Sequence, residues 1–223
     1  MAAKKKSQGT TEPHLKGKNA AYLWSFIAVN LAVFLCLLVA KGISEASLDH
    51  SWQRVASKNG LIAIVIPVLA IVLAGVFGDT GKARLVFWRW RNALPGCRAF
   101  TRLLATDPRI DVPALRKRLG EFPGEAGAQN ALWYRLYKAH RMEVRVVDAH
   151  KNYLLTRDMA AMSALFLVLF SAGVLLARVP PPTALLYIAA LVGQYGLVAI
   201  AARNYGTRFV ANVLVEESQL GGA

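Results

Sequence analysis

Four runs of this chain contain no charged residue: 20–40, 61–77, 159–177 and 183–202. At a helical rise of ~1.5 Å per residue, runs of this length match the ~30 Å hydrocarbon core of a bilayer. Hydrocarbon offers the backbone no hydrogen-bond partner, so a spanning segment has to bond internally, and a helix does so within one segment. The expectation is therefore an all-α membrane protein with four transmembrane helices and a helical cytosolic domain inserted between spans 2 and 3. A hydrophobic content of 55% excludes the ordinary soluble class.

Basic residues set the orientation. The net charge is +14, and 16 of the 27 Lys and Arg lie in 79–158, against 8 acids there. The termini and that insert together hold 23 of them, while the connections 41–60 and 178–182 hold 4. Positive charge accumulates on the cytoplasmic side, which places both termini and the insert on that side. The expected order is a disordered tail (1–19), a transmembrane hairpin (20–78), the basic domain (79–158), a second hairpin (159–202) and a C-terminal tail (203–223). Lys4, Lys5 and Lys6 precede a polar run without an A-x-A cleavage site, so the first span reads as a retained anchor. Cys36 and Cys97 fall in different environments, which predicts free thiols.

Within the insert the pattern is helical. Asp111 with Pro113 marks one helix start. Leu132 with Leu136, and Trp133 with Tyr137 and His140, recur at helical spacing through about 125–142. A third stripe, Val144, Val147, Lys151 and Leu154, points to a helix running into the third span. An insert of ~80 residues buries little core alone, so support from the membrane helices or other subunits is expected.

The stretch 80–106 holds six basic residues and no acid. Arg89, Arg91, Arg98 and Arg102 in it are candidates for binding an anion or a partner. Two readings stand side by side: anionic lipid headgroups with Trp88 and Trp90 at headgroup depth, or a nucleotide or oligonucleotide gripped by guanidinium forks. The resemblance of 75–82 to a phosphate-binding loop fails on glycine spacing and on Ala83. No spacing suits a metal, a cofactor or a catalytic group.

The spans carry their own candidates. Asn30 and Gln194 suit hydrogen bonds between helices or a polar path, and Pro67 removes a backbone donor and marks a flexure point. Gly193 and Gly196, with Ala189, form a small-residue stripe that lets a neighbouring helix approach, which suggests a homo-oligomer such as a tetramer.

The segments LPGCRAF (94–100), DPRID (107–111), QNALWY (129–134) and LTRD (155–158) sit in a layout that is similar to small multi-pass membrane effectors of bacterial antiphage systems. That resemblance implies an oligomeric pore or membrane-disrupting protein, controlled through its cytosolic domain by a ligand or partner protein. A non-conducting receptor or scaffold that recruits a cytosolic partner is the alternative.

Overall fold

The computed structural model describes residues 15–46 and 52–220. Seven α-helices are present among them: α1 (Leu15–Ala46), α2 (Trp52–Val76), α3 (Asp79–Phe87), α4 (Val112–Leu119), α5 (Ala126–His140), α6 (Val144–Leu176) and α7 (Pro181–Gln219). A 3-10 turn (Pro95–Arg98) runs straight into a π turn (Ala99–Leu103). No strand occurs among the described residues. Among the described residues, three helices are long and apolar enough to cross a membrane: α1 through Asn19–Ala40, α6 and α7. α2 is one 25-residue helix that continues through the buried Pro67, and its described apolar stretch is Ile64–Leu73. The expected tail 1–19 falls largely outside the described residues, but 15–19 already belong to α1. Of the connection 41–60, all but 47–51 is helical.

α6 and α7 form the central hairpin. Its turn is a Schellman arrangement in which Val179 N–H donates to the Val174 carbonyl at 3.0 Å and Arg178 N–H to that of Leu175 at 2.9 Å. Arg178 takes the left-handed position, φ 56°, that glycine usually fills. Two proline residues then open α7, where a missing N–H costs nothing. α1 and α2 pack on α6 around three rings. Phe166 and Phe170 stack at 4.6 Å, Phe34 and Phe170 at 4.5 Å, and all three are sealed from solvent and lipid.

The close approach in this bundle uses a glycine that the sequence reading did not single out. A Cβ on Gly173 would lie 2.7 Å from Phe34 Cζ and 2.8 Å from Ile66 Cδ1. Gly193 and Gly196, by contrast, face open space, with nothing within 4 Å of an added Cβ. Their stripe is outward and has no partner among the described residues.

The largest departure from the sequence reading lies at the C-terminus. Instead of a tail from Arg203, α7 continues to Gln219, and Phe209, Val210, Val213, Leu214 and Val215 are buried in the core of the polar half. Trp133 of α5 meets Phe209 edge-on at 5.2 Å, and Leu103, Leu115 and Val146 close the same core. The insert thus folds around the projecting end of α7. Helix starts follow ordinary capping: the Asp111 carboxylate accepts from Ala114 N–H at 2.9 Å, and that of Glu125 accepts from Gly127 and Ala128. Gln129 and Glu217 are buried polar residues that find partners here, whereas the Tyr153 hydroxyl finds none among the described residues. Gln129 accepts from Phe100 and Thr101 N–H and donates to the Gly124 carbonyl. Glu217, also buried, meets His140 Nε2 at 2.6 Å and Arg118 at 3.1 Å, so α4 and α5 are tied to the tip of α7.

Two outcomes test this packing. Gly173→Leu should lower stability by about 1–3 kcal/mol through overpacking, read as the thermal midpoint in detergent, whereas Gly193→Leu should leave the monomer unchanged. The second concerns pH. Hydrogen bonding to Arg109 holds the Asp107 carboxyl below the usual range, and the capped N–H groups of Gly127 and Ala128 do the same for Glu125. Because the unfolded chain takes up these protons first, their stabilisation is complete above the ordinary carboxylate range and fades as pH falls through the lower folded values. The midpoint should drop on acidification below about pH 4, and Asp107→Asn with Glu125→Gln should flatten that drop.

Candidate functional site

Two residues separate the apolar helix α2 from α3, which ends at Phe87. Trp88 adopts φ 52° and breaks the helix, and Asn92 at φ 51° turns the chain again. The last carbonyls of α3 therefore need outside donors. Both come from α7. Tyr195 hydroxyl donates to the Leu85 carbonyl at 2.8 Å, and Arg203 Nε donates to that of Val86. The same two residues hold Trp88: its indole N–H donates to Tyr195 hydroxyl at 3.0 Å, and the Arg203 guanidinium lies 3.5 Å from its ring centre. This contact combines cation–π attraction with capping and fixes the basic loop onto α7.

On the loop so fixed, Arg89 and Arg91 are exposed and Trp90 is 83% exposed. Arg98 lies over the Phe87 ring at 5.2 Å, and Arg102 is exposed on the π turn. Burial, and then the nearby positive charges of Arg89 and Arg102, lower the Arg98 pKa from its usual value. Arg98 thus lies within the positive field of Arg89 and Arg102. Beside them, Phe77, Arg84, Trp88, Arg89, Trp90 and Tyr195 line a half-open cleft of ≈ 390 Å³. Such a surface can hold a phosphate group by forked hydrogen bonds and rest an apolar or aromatic group against indole.

Behind the loop, a charge network fixes α3 to α6. Arg157, only 4% exposed, pairs with Asp79 at 3.0 Å and Asp158 at 3.2 Å, and Lys82 reaches Asp158 at 3.0 Å. Lys82 is thereby withdrawn from the basic field, although it belongs to the acid-free stretch of sequence.

The polar residues inside the bundle come together. Gln194 donates to Asn30 Oδ1 at 3.0 Å and approaches Ser163 Oγ at 3.5 Å, while Asn30 donates to its own helix at Phe26. α1, α6 and α7 are joined by these bonds, and the two amides are engaged in packing. Pro67, Gly193 and Gly196 do not meet them or the basic loop. Sequence reasoning missed Tyr195 and Arg203. The available signal was a lone arginine directly after an apolar run, placed to reach back along its helix. The chain matches no family model, no curated protein and no solved structure, so geometry alone carries the functional argument.

Replacing Tyr195 by Phe removes partners from both Trp88 and the Leu85 carbonyl, and Arg203→Lys removes the stacked plane. Each variant should loosen the loop locally. Trypsin cleavage of the folded chain after Arg89 or Arg91 should accelerate by roughly tenfold, with a much smaller change in the global melting midpoint. Unchanged cleavage would show that α7 does not hold the loop.

Proposed function

We propose that this chain is an oligomeric bacterial inner-membrane effector, a pore or membrane-disrupting protein gated through its cytosolic half. The observation that carries this reading is the continuity of α6 and α7, which run unbroken from the apolar bundle into the core of the polar half. A rearrangement of the polar half must then tilt, turn or shift both helices. In this reading α2 is the fourth span, Pro67 its flexure point, and both termini are cytoplasmic.

Stacked Phe34, Phe166 and Phe170 fill the bundle, so a conducting path would lie between copies. The outward stripe of Ala189, Gly193 and Gly196 on α7 suits such a neighbour. The basic loop is the contact for an anionic ligand or lipid headgroup, and a ligand gates only if it binds the open and closed arrangements differently. The resemblance in layout to antiphage membrane effectors agrees with this proposal.

The full chain reconstituted in liposomes should release ions or a small dye when a nucleotide or oligonucleotide is added, and Arg98→Glu with Arg102→Glu should shift the concentration at half response. Mass measurement in nanodiscs should give a closed oligomer. Vesicles that stay sealed while a cytosolic protein still binds the polar half would overturn the pore and leave a receptor or scaffold. A particle that is monomeric at every concentration would exclude a path between copies.

A further inference from the structure

A second basic concavity lies on the other part of the polar half, where α6, α7 and the turn after residue 106 meet. It has a volume of ≈ 490 Å³ and is lined by Arg109, Arg145, Asp148, Tyr205, Arg208 and Asn212, among others. Volumes of roughly 300–1,000 Å³ are usual for small-molecule sites. None of its three arginines belongs to the acid-free stretch 80–106.

One of them is positioned in advance. Arg109 Nε and Nη2 bond the Asp107 carboxylate at 2.9 and 2.6 Å, and Nη2 also reaches Asn212 Oδ1 at 3.1 Å. Asn212 is itself buried and anchored, since its Nδ2 donates to the Arg145 carbonyl at 3.1 Å. Asp107 neutralises Arg109, which leaves Arg145 and Arg208. Both are exposed, and neither side chain forms a hydrogen bond or ion pair among the described residues. Asp148 is the one carboxylate lining the cavity.

Arg145 precedes the apolar run of α6 by 14 residues, and Arg208 follows that of α7 by 6, which at helical rise is about 21 and 9 Å. Arg145 thus lies beyond the ~8–10 Å over which exposed charges act at physiological salt, and Arg208 lies near its limit.

We propose that this concavity binds a water-soluble, hydroxyl-bearing phosphomonoester, a sugar phosphate or mononucleotide. Arg145 and Arg208 receive the phosphate, whose two negative charges match the two unpaired guanidiniums. Asp148 accepts the hydroxyls, a contact that simple phosphate does not need. Tyr205 supplies a flat apolar wall. Because Arg145 comes from α6 and Arg208 from α7, a bound phosphate would clamp these two helices together. The proposal concerns binding and stands whether or not the chain conducts.

The test uses the full chain in detergent, titrated calorimetrically with ribose 5-phosphate, adenosine monophosphate, inorganic phosphate and ribose. The sugar phosphate or the nucleotide should bind more tightly than inorganic phosphate, and ribose should not bind. Arg145→Ala and Arg208→Ala should each weaken binding by about tenfold, and Arg208→Lys by less, because the fork is lost but the charge is kept. Asp148→Asn should weaken the hydroxyl-bearing probes without weakening inorganic phosphate. Lys117→Ala, remote on α4, should change nothing. Tighter binding by the nucleotide than by ribose 5-phosphate identifies a base on Tyr205, and the reverse order identifies a sugar phosphate. Absence of binding by both probes would overturn the proposal. So would unchanged affinity in an Arg145→Ala, Arg208→Ala double variant that melts like the parent.

Discussion

The antiparallel contact between α6 and α7 is what the rest of this molecule depends on. At ~1.5 Å per residue, helices of 33 and 39 residues reach about 50 and 58 Å, well beyond a ~30 Å hydrocarbon core. The length in excess of such a core still carries an apolar stripe. In water that stripe has to be covered, and α4, α5 and the turns at 95–103 cover it. The polar half is thus the sheath of a helical hairpin, which explains how so few residues between α3 and α6 sustain a buried core.

Charges at the two ends of this sheath specify how it sits. Near the membrane, Arg157 is almost fully buried between Asp79 and Asp158. At the far end, Glu217 is buried between His140 and Arg118. A buried pair roughly balances its desolvation cost, but one partner left alone costs about 3–5 kcal/mol. A slip of one residue between α3 and α6, or between α5 and α7, would strand a buried charge. These clusters therefore fix register, while stacked rings and apolar side chains supply the cohesive part of the energy. Within the bundle the Asn30 and Gln194 bond plays the same part for α1 against α7.

How much of this could be read from the sequence follows from which signals are local. An apolar run of bilayer length is a property of one segment, and three helices of that kind are present. The start at Asp111 and the stripe from Val144 into the third span are local as well, and α4 and α6 follow them. The end of α3 was less legible, because Trp88 leaves the helix for a conformation held by Tyr195 and Arg203 from more than 100 residues away. After the apolar run ends, Arg203, Arg208, Glu216 and Glu217 give 203–223 the look of a tail. Yet Phe209, Val210, Val213 and Leu214 recur at helical spacing, and that stripe was the signal for a continuing helix. Among the basic residues, composition drew attention to the densest stretch. Arg109, Arg145 and Arg208 are scattered in sequence, and only the fold brings them to one cavity.

That scatter bears on how α7 can be controlled. Arg203 holds the basic border loop, and Arg208 opens onto the second concavity, five residues further along the same helix. Five residues correspond to about 140° around a helix axis and ~7.5 Å along it. The two basic surfaces therefore grip α7 from different sides and at different heights. Under the proposed gating, an anion that reorganises the border loop would act on the helix through Trp88 and the α3 carbonyls. One bound between Arg145 and Arg208 would act by drawing α7 toward α6. A close-packed interior moves between discrete arrangements and does not bend continuously, so such pulls would shift the hairpin as a unit. Both would end on a helix whose apolar part carries the open stripe at Gly193 and Gly196.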